Sequence, residues 1–222
     1  MAEERRLAAI MFADVCGYSS IMGEDEGRAL AVVEMAATCL ESSAKLHGGR
    51  VIKKMGDGVL CEFPSAVNAV RCAIEVQKAV SEHNTAAESE RRYQMRIGIH
   101  VGDVVVSGDD ILGDGVNVAS RIEPLAEPGG VCISRDVFDL VKSKVSIETV
   151  NLGPHDLKNI SRQIDIYKVL VDAVAGYKPV ANKTGPKRLA KTTSILSIVG
   201  LLAALAVVGV GVRASVKGFK AN

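Results

Sequence analysis

The alternation of apolar and polar positions changes period several times along the chain, and each change marks an element. The near-continuous apolar run "RLAAIMFADV", residues 6–15, predicts a buried first strand. Between residues 24 and 47, Leu30, Val33, Ala37, Leu40 and Ala44 recur at spacings of three and four, the period of an amphipathic helix. "GGR" stops that helix, and the short runs "VIKKM" and "VLCEF" on either side of "GDG" predict a hairpin. Ala66, Ala69, Val70, Ala73, Ile74 and Gln77 define a second helix running to about residue 90, and "YQMRIGIHVGDVVV" a fourth strand. Strand–helix–strand–strand–helix–strand is the ferredoxin-like order, so the expected fold class is α+β with a βαββαβ core. Both long helices then lie on one face of an antiparallel sheet, with strands one and three as central neighbours. Further on, the pattern predicts a short helix near 116–125, a strand "GVCIS", a helix from Arg135 to Lys142, and strands around "SIETVNL" and "QIDIYKVL".

This periodic region closes a domain over residues 1–171. Residues 172–191, rich in Lys, Gly, Pro and Thr, read as a basic juxtamembrane linker. "ILSIVGLLAALAVVGVGV", residues 195–212, holds 18 residues without a charge between Lys191 and Arg213. A helix of that length reaches roughly 27 Å, about one hydrocarbon core. We expect a transmembrane helix over 192–213 and a short basic tail over 214–222, which is equally the start of a longer chain; a buried soluble helix is the competing reading of the apolar run. Both flanks are basic, and the positive-inside rule leans toward a cytoplasmic N-terminal side. The expected location is the cell membrane, single-pass, with the catalytic domain cytoplasmic.

Charge narrows the partners. Lys plus Arg (27) nearly balances Asp plus Glu (26), which argues against holding nucleic acid by net charge; any anion site must be local. The five cysteines (16, 39, 61, 72 and 132) form no C-x-x-C pair, and the four histidines (47, 83, 100 and 155) form no H-E-x-x-H pattern. That dispersal points to a reducing compartment and away from zinc. The start "MAEERRLAAIMFAD" turns acidic before an apolar stretch of secretory length develops.

The candidate chemistry sits where predicted strands end. Asp14 leaves the first strand in "FADVCG", and Asp57 stands at the hairpin tip. If strands one and three are neighbours, both carboxylates reach the same edge, where they repel unless a cation or proton intervenes. Oxygen ligands without His or Cys favour Mg²⁺ or Mn²⁺. Two such ions suit activation of an attacking oxygen and neutralisation of a leaving phosphate. Each aspartate also has a plain structural reading: Asp14 as a cap on the next loop, Asp57-Gly58 as type I′ turn chemistry. The backbone of "DVCG", at Cys16 and Gly17, would offer phosphate donors in a nest-like turn. In "DDILGDGVNVASRIE", Asn117 and Arg121 are four apart and share one helix face, suited to a ribose oxygen and a developing phosphoryl charge. The competing reading is an exposed polar face with Arg121 paired to Glu123 or another carboxylate.

"MFADVCGYS", "VIKKMGDGVL" and "ILGDGVNVASRIE", in this order and spacing, resemble the catalytic domain of a class III adenylate/guanylate cyclase of the compact bacterial kind, over residues 5–171. The resemblance implies a head-to-tail homodimer with shared active sites and two divalent cations. Asp14 and Asp57 match its metal-binding aspartates, with the Val15 carbonyl as a further ligand. Lys53 matches the lysine that reads the purine of the partner's site, and Asp110 its acidic companion. Lys with Asp is the adenine-selecting pair, where guanylate cyclases usually carry Glu and Cys or similar. Asn117 matches the residue that orients the ribose, and Arg121 the one that stabilises the transition-state phosphate. Lys158, in "LGPHDLKNI", roughly matches a triphosphate-binding lysine in the segment that departs most from the family pattern. Lys54 matches no motif residue. The implied activity is conversion of ATP to 3′,5′-cyclic AMP and pyrophosphate by in-line attack of the ribose 3′-hydroxyl. The alternatives are a membrane-tethered nucleotide-binding regulator without turnover, or a cyclase with guanylate activity; a diguanylate cyclase lacks support because no G-G-D/E-E-F signature is present.

Overall fold

The apolar run at the start of the chain forms β1 (Glu4–Val15), and two strands pair with it antiparallel: β3 (Gly58–Phe63) on one side and β4 (Met95–Ser107) on the other. The structure is a computed structural model that describes residues 4–171. With β2 (Arg50–Met55), β6 (Val131–Ser134), β7 (Thr149–His155) and β8 (Ile164–Val169), the sheet order is β2-β3-β1-β4-β6-β8-β7, and β5 (Asp110–Leu112) folds back on the end of β4. The ferredoxin-like order is present, with β1 and β3 adjacent as the sequence predicts. Beyond it, β6 joins β4 as a parallel strand.

Two helices of 21 residues, α2 (Glu26–Leu46) and α3 (Ala66–Ala86), cover one face. They enclose a core with Met11, Ala13 and Val15 of β1, Val59, Cys61 and Phe63 of β3, and Met95, Ile97 and Ile99 of β4. All six expected positions of α3 are buried. On α2 the buried stripe is Ala29, Val32, Ala36, Ala37, Leu40 and Ala44, while Leu30 is 55% exposed and Val33 only partly buried. The face is turned by one position because alanines, not the larger residues, line the contact with the sheet. A short helix, α1 (Tyr18–Glu24), precedes it; burying no residue, it leaves no periodic trace in the sequence. Asp25 separates the two helices and caps α2 by accepting from the Arg28 N–H at 2.9 Å.

On the other face lies α4 (Asp114–Ile122), followed by a 3₁₀ turn at Glu123–Leu125, where the sequence predicts one helix over 116–125. Two close approaches seat α4. A Cβ on Gly102 would lie 2.9 Å from the Gly115 Cα, and one on Gly98 would lie 2.2 Å from the Glu123 backbone nitrogen. Both ends of the helix therefore rest on bare backbone of β4. Ala8, Ile10, Leu60, Val104, Ile111 and Ala119 fill the space beneath. Ile111 brings β5 into this core, a three-residue strand too short to announce itself by alternation. α3 stops earlier than expected, with a 3₁₀ turn at Ser89–Arg91. The last helix, α5 (Arg135–Val141), is capped by Ser134.

The β2–β3 turn consists of Gly56 and Asp57, with Met55 opposite Gly58. Among the described residues of this turn only Gly56 has a positive φ, 64°. That is the mark of a type II′ turn, with glycine first, and not of the type I′ turn that Asp57-Gly58 suggests. The expected linker (172–191), transmembrane helix (192–213) and basic tail (214–222) lie outside the described residues. Among the described residues, no helix is long and apolar enough to cross a membrane.

His100 makes one part of the stability pH-dependent. It is 3% exposed, and its Nδ1 lies 2.8 Å from the Ser134 hydroxyl. Burial pushes its pKa down to about 4 from 6.5, against the attraction of Asp136 and with Arg162 assisting. A depressed histidine contributes stability that is present above pH 6.5 and lost as pH falls toward 4, in full on the order of 3 kcal/mol. His100→Gln is expected to flatten the acid side of a Tm-against-pH curve; parallel curves for both proteins would contradict this.

Candidate active site

Strand alternation decides which side chains meet. Met11, Ala13 and Val15 of β1 face α2 and α3, while Ile10 and Phe12 face α4. Asp14 follows in the second register. On β4, Met95 and Ile97 face the helices, so Arg96 between them faces the α4 side, and the antiparallel register sets Arg96 opposite Asp14. Arg96 donates from Nη2 to Asp14 Oδ2 at 2.7 Å and from Nε to Oδ1 at 3.2 Å. This is a two-point guanidinium–carboxylate contact, and the bond to Asp14 holds the Arg96 pKa above its ordinary value.

Glu123 completes the group. Its backbone rests on Gly98, two residues along the same face of β4 from Arg96, and its side chain is buried, the residue being 8% exposed. Oε1 lies 3.1 Å from Arg96 Nε, yet that N–H is directed at Asp14, and Oε1 has no hydrogen bond. Burial raises the Glu123 pKa to about 8, with a hydrogen bond to Asp14 and the negative charge there adding to the rise. The sequence offered Glu123 as a partner for Arg121. The structure gives it to Arg96 instead, because the close seat on Gly98 turns Glu123 inward while Arg121 stays exposed.

Asp57 arrives from the β2–β3 turn, two residues beyond Val59 of the Ala13–Val59 pair that ends the β1–β3 ladder. Burial raises its pKa, and the charge of Asp14 raises it further. The two carboxylates thus converge, and the charge of Asp14 makes that of Asp57 costly, the condition that a cation relieves. Val15 buries its side chain in the helical core, leaving only its backbone for the site. Among the described residues no group of three or more His, Cys, Asp or Glu forms a metal cage. Two carboxylates and a carbonyl suit a hard ion that keeps water and substrate phosphate in its shell, as Mg²⁺ and Mn²⁺ do. Burial lifts the Cys16 thiol to about 11, so it offers no thiolate. The Cys16 N–H is already bonded to the Gln94 carbonyl at 2.9 Å, whereas Gly17 adopts a left-handed φ of 72° and begins α1 without a side-chain cap.

A second group sits on the α4 side. The β2–β3 ladder slips between Val51 and Lys53, so that Ile52 and Lys53 both turn toward α4: Ile52 packs against the core there, and Lys53 stands opposite Leu60. Lys54, opposite Val59, turns the other way and pairs with Glu41 of α2 at 3.2 Å, an exposed contact of small energetic value. Strict alternation would have exchanged the two lysines. Lys53 Nζ donates to Asp110 Oδ2, and this bond lowers the Asp110 pKa. Asn117 and Arg121 are exposed on one side of α4, as their spacing predicts. Lys158 is exposed in the β7–β8 connection, beside Asn159 at a φ of 64°. The hydrogen bonds and ion pairs of the described residues join Asp14, Arg96 and Glu123 in one cluster and Lys53 with Asp110 in another, with none between them. Arg96 escaped the sequence reading. A lone arginine in the apolar run "MRIGIH" was the available signal.

The model of the adenylate and guanylate cyclase catalytic domain matches residues 1–170. Putative adenylate cyclase 3 of Rhizobium meliloti (strain 1021) is 46% identical over 172 residues, covering 75% of this chain and 29% of that protein. Adenylate cyclase 1 of the same strain is 26% identical over 184 residues, covering 75% and 28%. The chain therefore spans less than a third of the length of these relatives. The crystal structure of an adenylate/guanylate cyclase/hydrolase from Silicibacter pomeroyi matches with a TM-score of 0.71 at 38% identity, covering 76% of this chain and 98% of that one. The adenylyl cyclase CyaB from P. aeruginosa shares the fold, with a TM-score of 0.68 at 24% identity over 82% of this chain and 100% of that one. A family match running through nearly all of the described sheet, with carboxylates gathered at the end of its central strands, leads to one assignment: the chain belongs to the family of adenylate and guanylate cyclase catalytic domains, the lyases of cyclic-nucleotide biosynthesis.

Proposed function

We propose that this chain is an adenylate cyclase that converts ATP to 3′,5′-cyclic AMP and pyrophosphate in a homodimer with shared sites. The observation that carries the reading is the Lys53–Asp110 bond, which the β2 bulge makes possible. A lysine donates to adenine N1, and a carboxylate accepts from the N6 amino group. Guanine offers a donor at N1 and an acceptor at O6, so both contacts fail. Their mutual bond holds the pair in position before a purine arrives.

Two divalent ions, Mg²⁺ or Mn²⁺, held by Asp14, Asp57 and the Val15 carbonyl, would supply acidification of the ribose 3′-hydroxyl and charge neutralisation of the triphosphate. Asn117 orients the ribose so that its 3′-oxygen lies in line with the α-phosphorus. As that O–P bond forms and the bond to the β-phosphate oxygen breaks, Arg121 meets the charge on the phosphoryl oxygens. Pyrophosphate leaves, and the 3′-hydroxyl proton passes to water or substrate. Gly17 and Lys158 are assigned to the triphosphate, and Cys16 to the backbone around it. Separation of the carboxylate cluster from the Lys53–Asp110 pair favours a site completed by a second copy. We also assign residues 192–213 to a membrane anchor with the catalytic domain cytoplasmic, which would raise the local concentration of partners.

The test is turnover of the full chain with Mn²⁺ and either ATP or GTP. We expect cyclic AMP to form with kcat/KM about a hundredfold above that for cyclic GMP. Equal turnover would overturn the adenine assignment, and nucleotide binding without a cyclic product would favour the regulator. Lys53→Glu combined with Asp110→Cys is expected to cut the preference for ATP by roughly tenfold or more. An unchanged ratio in that double variant would remove both residues from purine reading.

A further inference from the structure

Arg96 is not part of the machinery assigned above, yet it holds both oxygens of Asp14, at 2.7 and 3.2 Å. An ion that binds Asp14 must take at least one of those oxygens and must approach a fixed positive charge. The guanidinium has somewhere to go. Glu123 Oε1 already lies 3.1 Å from Arg96 Nε, is buried, and accepts no hydrogen bond. Glu123 is held there from behind, since its backbone sits on Gly98 where even a methyl group would clash. A buried carboxylate oxygen left bare beside a guanidinium that is bonded elsewhere describes one half of an exchange.

We propose that Arg96 occupies Asp14 as an internal counter-ion and that divalent-ion binding moves it onto Glu123. The guanidinium itself need only reorient, because both side chains lie within reach of the same Nε, while Glu123 gives up its hydrogen bond to Asp14. Arg96 and Glu123 are then positioning residues that set how tightly the site takes its ion. Arg96 weakens binding by competition, and Glu123 restores part of it by accepting the displaced group. The inference rests on the reading of Asp14 and Asp57 as metal ligands.

The experiment is titration of the nucleotide-free full chain with Mn²⁺, following free ion by electron paramagnetic resonance. Arg96→Gln is expected to bind Mn²⁺ about tenfold more tightly than wild type, because a like charge beside the ion is gone. Glu123→Gln is expected to bind several-fold more weakly, and to add little further change in the Arg96→Gln background. A clamp that only shapes Asp14 predicts the opposite sign: unchanged or weaker binding in Arg96→Gln would overturn the proposal. Equal weakening by Glu123→Gln with and without Arg96 would overturn the role of Glu123. Should Arg96→Gln fail to fold, Arg96→Lys keeps the charge, gives up the two-point contact, and is expected to tighten binding about threefold. Asp57→Asn separates the underlying reading: if it leaves Mn²⁺ affinity unchanged, or wild type binds no Mn²⁺, the metal site itself is wrong. If Asp57→Asn weakens binding and Arg96→Gln fails to strengthen it, only the exchange is wrong.

Discussion

Asp57→Ala is expected to lower kcat for cyclic-nucleotide formation by about a thousandfold or more, with no loss of thermal stability. The two effects separate because of where Asp57 stands. Among the described residues it forms no ion pair, and burial together with the Asp14 charge raises its pKa. A raised carboxyl costs nothing below its ordinary pKa, and its cost is complete only above the folded value. In ion-free protein, removing Asp57 should therefore hold or raise Tm, increasingly so as pH rises through that window. Asp14→Ala should abolish turnover equally but strip Arg96 of two hydrogen bonds, costing on the order of 1–3 kcal/mol. Turnover and a melting curve for each variant decide the matter. Preserved turnover in either would end the two-ion scheme, and a Tm drop in Asp57→Ala matching that of Asp14→Ala would show the reading of their environments to be wrong.

Much of this was written in the sequence, for identifiable reasons. The order of strands and helices is legible wherever one face is apolar and the other is not, as along α3. It fades where burial is carried by small residues. On α2, Ala29, Val32 and Ala36 line the sheet while Leu30 points outward, so hydrophobicity alone picks a neighbouring face. α1 buries nothing and β5 spans three residues, so neither leaves a period. The convergence of Asp14 and Asp57 follows from topology, since adjacent central strands must end together. The direction of Lys53 depends on a one-residue slip opposite Leu60 that no alternation rule foretells. Arg96 and Glu123 were hidden for another reason. Their partnership rests on Gly98 admitting a helix end onto the strand, a close approach that only the assembled sheet makes visible.

The separation of the chemistry into two clusters leads to the second large effect. Asp57→Ala and Arg121→Ala should each be nearly inactive alone, yet a mixture allowed to exchange partners should recover about a quarter of wild-type turnover. Half of the dimers in a random equal mixture carry one of each chain. In such a dimer, one site combines the intact Asp57 of the Arg121→Ala chain with the intact Arg121 of the Asp57→Ala chain, while the other site lacks both. Lys53 and Asp110 are wild type throughout, so purine reading is undisturbed. The geometry that favours this outcome is local: Asn117 and Arg121 are exposed along α4, and among the described residues no hydrogen bond or ion pair ties them to the carboxylates at the end of β1. A site complete within one chain predicts no recovery at any mixing ratio. The measurement is cyclic AMP formed per chain as the ratio is varied, with heterodimers verified by two affinity tags. A bell-shaped curve peaking at equal amounts supports shared sites, and a flat line at the level of the separate variants would place all the machinery in a single copy.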